Sequence, residues 1–103
     1  IGMTLDGRIE SWNAAAERTY GYTPAEVLGR PFTEVVRTDG DTAAGFAAVA
    51  AGAAIHLQTV DYRKDGTPVR VEVNLSPVLS NGEVTGCSAI VRDVTDLRRQ
   101  QEA

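Results

Sequence analysis

The sequence predicts an α+β fold: a five-stranded, largely antiparallel sheet with short helices covering one face. Three observations point there. Asp6-Gly7, Asp65-Gly66 and Asn81-Gly82 are turn dipeptides of the kind hairpins favour, and each is flanked by strand-like residues. Residues 69–76 alternate strictly, with Val69, Val71, Val73 and Leu75 on one side and Arg70, Glu72, Asn74 and Ser76 on the other. Between the first turn and the other two lies a stretch of short, well-capped helical segments rich in alanine.

Taken in order, Ile1–Leu5 and Arg8–Trp12 form the first hairpin. Asn13 then caps a helix opening on Ala14-Ala15-Ala16-Glu17-Arg18, and Gly21 ends it. Thr23-Pro24-Ala25-Glu26 has a cap, a first-turn proline and a glutamate three residues on, so a second short helix starts there and stops at Gly29. Thr33–Arg37 makes a single turn. Asp41–Ala51 is a helix with Phe46 and Val49 three apart, closed by Gly52. Strands follow at Ile55–Arg63, Pro68–Leu79 and Glu83–Val94, and in the last of these Cys87, Ala89 and Val91 share one face. Thr95 caps an outgoing helix that begins Asp96-Leu97-Arg98-Arg99. The strand at 55–63 admits two registries: Ile55, Leu57 and Thr59 inward with His56 outward, or Val60 and Tyr62 inward.

A chain of 103 residues fits one domain, and 43% hydrophobic with 23% charged residues is an ordinary globular composition. The net charge of −4 disfavours nucleic acid as a partner. No apolar run is long enough to span a bilayer, no signal peptide is visible, and a cytoplasmic location is expected. One cysteine, Cys87, and one histidine, His56, allow neither an internal disulfide nor a four-ligand zinc site. With no nucleophile motif and no acid/base pair, the chain does not read as an enzyme. It starts at Ile1, as if inside an element, and ends in a helical pattern, so it reads as a domain at 1–95 followed by the start of an outgoing helix at 96–103, cut from a longer protein.

Four segments in order resemble a known family. Asp6–Arg18 resembles the first hairpin and helix entry of a PAS domain, and Gly21–Arg30 its following helices. Arg63-Lys64-Asp65-Gly66-Thr67 resembles its third-to-fourth strand turn, and Arg92-Asp93-Val94-Thr95-Asp96 its terminal strand-to-linker motif. The resemblance implies a PAS fold with strand order 2-1-5-4-3. It also implies a sensory or interaction module beside an output domain such as a histidine kinase of a two-component system, a cyclic-dinucleotide enzyme or a phosphatase. It does not name a ligand.

The family's flavin-binding light sensors carry Gly-Arg-Asn-Cys where this chain has Gly29-Arg30-Pro31-Phe32, so adduct chemistry is not expected. Their ring-binding amides match Asp61 and Val71 here, and unmatched polar edges would cost roughly 1–3 kcal/mol each. The family's axial haem histidine is absent from Asp41–Ala51, and Met3 reads as packing. Haem and adduct-forming flavin are therefore disfavoured, and no metal is expected. Asn74-Leu75-Ser76 reads as a chance glycosylation match, and Asp39-Gly40-Asp41 lacks the later ligands of a calcium loop.

What remains is an apolar interior. Its candidate wall is Val35, Val36, Phe46, Val49, Leu57, Val69, Val71, Val73, Leu75, Cys87, Ala89 and Val91, with Asp61 as a polar group near its mouth. Those residues either fill a core or enclose a small apolar or amphiphilic ligand. On the outer face, Val60, Tyr62 and Ile90 are candidates for a homodimer interface. Asp93 and Thr95 match the family's signal-exit motif: Thr95 can cap the outgoing helix, and Asp93 can pair with a basic group at the domain base. Lys64 can pair with Glu17 or Glu26. The expected function is thus a sensory domain that binds a small ligand, dimerises, or both, to regulate an attached output domain. The alternative is a ligand-free dimerisation scaffold.

Overall fold

In the computed structural model, residues 1–95 are described. They form β1 (Gly2–Thr4), β2 (Ile9–Ser11), α1 (Ala14–Tyr20), α2 (Pro24–Val27), α3 (Phe32–Val35), α4 (Thr42–Ala50), β3 (Ile55–Tyr62), β4 (Pro68–Ser80) and β5 (Glu83–Asp93). The strands make one antiparallel sheet in the order β2-β1-β5-β4-β3, the order the resemblance implies. The segment Leu97-Arg98-Arg99-Gln100 lies outside the described residues.

Local chemistry explains the elements. Asn81 and Gly82 both take positive φ (51° and 82°), which is what a tight hairpin matched to the sheet twist demands. The Asn13 side chain accepts from the Ala16 N–H at 2.9 Å and starts α1. Glu26 Oε1 accepts from the Thr23 N–H at 2.9 Å at the head of α2, and Asp41 Oδ1 accepts from Ala44 N–H at 3.0 Å at the head of α4. Helix α1 runs two residues past Arg18 to Tyr20, because the chain does not leave the helix until Gly21. The single turn at α3 sits at Phe32–Val35, one residue ahead of the expected Thr33, with Pro31 before it in an extended conformation.

The registers decide which side faces the helices. Ile55 pairs with Leu75 and Leu75 with Ala89; Leu57 pairs with Val73 and Val73 with Val91. These residues form cross-strand rows on the inner face. Strand β3 therefore takes the first of its two registries, with Leu57, Thr59 and Asp61 inward and His56 outward. Val69 and Val71 are fully buried. Against this face sit Trp12, Tyr20 and Phe32, whose rings form a chain with centroids 5.7 and 6.4 Å apart. Trp12 leaves the sheet, and its indole N–H donates to the Tyr22 carbonyl at 2.9 Å. Gly45, mid-helix in α4, has a reason in packing. A Cβ there would meet Leu75 Cδ1 at 3.2 Å, so glycine lets the helix approach β4.

Candidate functional site

The helices do not fill the inner face completely. A cavity of about 70 Å³ remains between the sheet and the α1–α4 layer. Seven of the expected wall residues line it: Phe46, Leu57, Asp61, Val73, Leu75, Ala89 and Val91. Six others, Val35, Val36, Val49, Val69, Val71 and Cys87, are packed in the core away from it. Cys87 pairs in register with Met3 and Pro77, and burial pushes its thiol up from the ordinary range, so it sits as a small hydrophobe. Met3, Tyr20, Phe32, Thr38, Gly40, Asp41, Thr42, Gly45 and Thr59 complete the lining and were not among the candidates. For Tyr20 a signal exists in the sequence: Ala16, Thr19 and Tyr20 share the buried side of α1 at helical spacing.

The lining is mostly apolar, and its polar side chains are Tyr20, Thr38, Asp41, Thr42, Thr59 and Asp61. Asp61 is 2% exposed, and its Oδ2 accepts a hydrogen bond from the Tyr20 hydroxyl at 2.6 Å. The other oxygen, Oδ1, is buried and has no hydrogen-bond partner among the described residues. Burial, then the adjacent Asp61 charge and hydrogen bond, push the Tyr20 phenol far above its ordinary range. It therefore stays protonated and keeps donating. Two elements place this pair. Tyr20 is the last residue of α1, and its carbonyl is held by the Lys64 N–H at 2.8 Å. Asp61 stands near the end of β3, opposite Val69 on one side and bridged to Thr38 on the other.

Just past this pair is the base of the domain. The Arg63 guanidinium donates to the Thr19 carbonyl through Nε and to Asp93 Oδ2 through Nη2, both at 3.1 Å. The second Asp93 oxygen accepts from the Thr95 N–H at 2.9 Å, and Thr95 Oγ1 accepts from the Arg70 N–H at 3.1 Å. The basic partner that Asp93 calls for is thus Arg63. One residue further, Lys64 pairs with Glu26 rather than Glu17, and the same ammonium lies 5.8 Å from the Tyr22 ring centroid.

On the outer face, Ile90 is 68% exposed. Val60 and Tyr62 are half-buried. Arg37 lies 4.4 Å from the Tyr62 ring centroid, and the Tyr62 hydroxyl donates to Asp39 at 3.1 Å, so the chain itself covers that ring. His56 faces outward, 3.4 Å from Glu72. Among the described residues no cluster of three or more His, Cys, Asp or Glu is placed to hold a metal ion, and no helix is long and apolar enough to cross a membrane.

Comparison with known proteins gives a consistent result. The PAS domain family profile matches residues 1–96. A curated relative, two-component system protein A of Emericella nidulans, is 28% identical over 102 residues, covering 94% of this chain. This chain spans 15% of that relative's length. Among solved structures, the PAS domain of a protein from Colwellia psychrerythraea superposes with a TM-score of 0.80 at 26% identity, covering 93% of this chain and 85% of that one. An RNA-binding light-oxygen-voltage receptor superposes with a TM-score of 0.84 at 30% identity, covering 97% of this chain and 30% of that one.

Proposed function

The chain belongs to the PAS domain family, a family of sensory and signalling modules, and on that premise we propose that it senses a compact apolar or amphiphilic ligand and regulates an attached output domain. The observation that carries this reading is the cavity between sheet and helices, apolar over most of its wall and ending on a buried carboxyl group. A domain that only filled its core would have little use for an aspartate there, since buried polar groups without partners are rare and costly. The attached output domain is of the two-component type, as the likeness to the Emericella nidulans protein suggests. The exit runs through Asp93 and Thr95 at the end of β5. Ligand-driven strain on β3 would reach it through Arg63, which touches both α1 and Asp93.

Residues and size argue against a flavin. Phe32 lines the cavity at the position of the reactive cysteine, Asp61 stands in place of one ring-binding amide, and Val71 in place of the other is sealed in the core. The cavity is also well below the roughly 300–1,000 Å³ of sites for drug-sized ligands. The ligand is therefore compact, and the module works by binding and rearrangement rather than catalysis.

The test is native mass spectrometry of the purified chain, before and after solvent extraction, for the wild type and Ala89→Phe. A small bound mass that extraction removes and the phenylalanine excludes is the expected result. A wild type with no bound mass, or a variant that keeps it, would overturn the reading. A second activity, dimerisation through the outer face, is favoured by the exposed Ile90. Ile90→Lys is expected to shift the sedimentation profile toward monomer while leaving ligand uptake intact, and an unchanged profile would remove that face from consideration.

A further inference from the structure

Asp61 belongs to the lining of a cavity that is otherwise mostly hydrocarbon, and its Oδ1 is a buried acceptor with no hydrogen-bond partner among the described residues. Its sister oxygen is already engaged by Tyr20, whose phenol keeps its proton and goes on donating to the carboxyl group. A second carboxyl group, Asp41, also lines the cavity, and among the described residues the lining contains no lysine, arginine or histidine. An incoming anion would thus meet two acidic side chains and no cation. An incoming donor would meet a ready acceptor and a favourable field.

We propose that the cavity selects a compact ligand with a positively charged, hydrogen-bond-donating nitrogen, which docks on Asp61 Oδ1 while a short apolar body lies against Phe46, Leu57 and Leu75. This rests on the pocket being a ligand site at all, as inferred above, and adds the polarity of its occupant. Thr59, two residues before Asp61 on the same strand face, supplies a further hydroxyl near the head position.

The test is a titration of the ¹⁵N-labelled 103-residue chain with three molecules that share one tail: n-butylammonium, n-butanol and butyrate. The amides of Leu57, Thr59 and Asp61 report on the cavity. Butylammonium is expected to saturate them at a concentration lower by about tenfold or more than either of the others. Asp61→Asn is expected to abolish that preference, and Tyr20→Phe, which frees the second carboxyl oxygen, to retain it. If Asp61→Asn does not fold, the ranking in the wild type and in Tyr20→Phe decides. Butanol or butyrate binding as tightly as butylammonium would overturn the donor-head inference and leave the pocket standing, as would a head site held only by exchangeable water. If none of the three perturbs the cavity amides, the pocket reading falls and this inference with it.

Discussion

At the end of β3 and in the turn after it, Asp61 and Lys64 each pair with a side chain of the helical layer, and the two pairs differ in nearly every physical respect. Asp61 accepts from Tyr20 in the interior, beside a cavity; Lys64 pairs with Glu26 in water. Both are short, and each joins the third strand or the turn after it to a helix. Water cannot replace a lost partner at the first, whereas at the second it does so at once. The buried tie is therefore where the fold is vulnerable and where a ligand can act. The surface tie adjusts the outside of the domain and responds to pH. Between them Arg63, about one-third exposed, reaches both α1 and Asp93.

The strongest way to break this contrast is to remove the buried donor. Tyr20→Phe leaves both oxygens of a 2%-exposed carboxyl group without a hydrogen-bond partner among the described residues. Hydrogen bonds to charged groups contribute about 1.5–3 kcal/mol, so a loss of that size is expected in urea denaturation. The double variant Tyr20→Phe/Asp61→Leu sharpens the point. With no polar group left to strand, it is expected to recover much of the loss, because replacing both partners of a buried pair by apolar groups is often close to neutral. A double variant less stable than Tyr20→Phe alone would mean that Asp61 has other partners and that the pair is not an isolated unit.

The same contrast explains what was readable from residues alone. The hairpins and the faces of β4 were legible, because Asn81-Gly82 and the alternation of Val69, Val71, Val73 and Leu75 act over a few residues. The wall of the cavity was legible only in part. Alternation assigns Val71 and Val73 to one face, yet only Val73 borders the void, because the gap depends on where α4 lands. That landing is set by Gly45 against Leu75, a contact thirty residues apart in sequence. Tyr20 was missed because its importance lies in a partner 41 residues away. Asp61 stood out as an odd inward polar group once a registry was chosen, but its half-satisfied state belongs to tertiary structure.

A smaller effect is expected at the intermediate tie. Arg63→Met removes the bonds to the Thr19 carbonyl and to Asp93. Both ends are partly solvated, so water recovers a good part of the loss, and a destabilisation of about 1 kcal/mol follows. The local consequence is more diagnostic than the global one. Asp93 holds the Thr95 N–H at 2.9 Å, and without Arg63 to orient its carboxylate, hydrogen exchange at Thr95 is expected to speed up more than at the mid-sheet amide of Val73. Uniform acceleration across the sheet would show that Arg63 acts on overall stability and has no special hold on the exit.

The smallest effect belongs to the surface tie, and pH makes it visible. The hydrogen bond from Lys64, followed by that from the Thr23 N–H, holds the Glu26 carboxyl down at about 2, against an ordinary value of 4.5. Between those two values the unfolded chain binds a proton that the folded chain does not, so stability rises with pH there. The contribution is complete above about 4.5 and is lost as the pH falls toward 2. Lys64→Met removes the larger cause and leaves the Thr23 N–H in place. The Glu26 carboxyl is then expected to titrate higher, though still below 4.5, and the acid limb of the stability profile to flatten over the same window. Near neutral pH the variant is expected to unfold at almost the wild-type urea concentration, because a solvated pair contributes little. Carboxyl-carbon NMR titration of Glu26 checks the first expectation directly. If Glu26 titrates in Lys64→Met as it does in the wild type, its carboxylate is held by the capping bond at the head of α2 alone, and the Lys64 pair is no tie between the sheet and the helices.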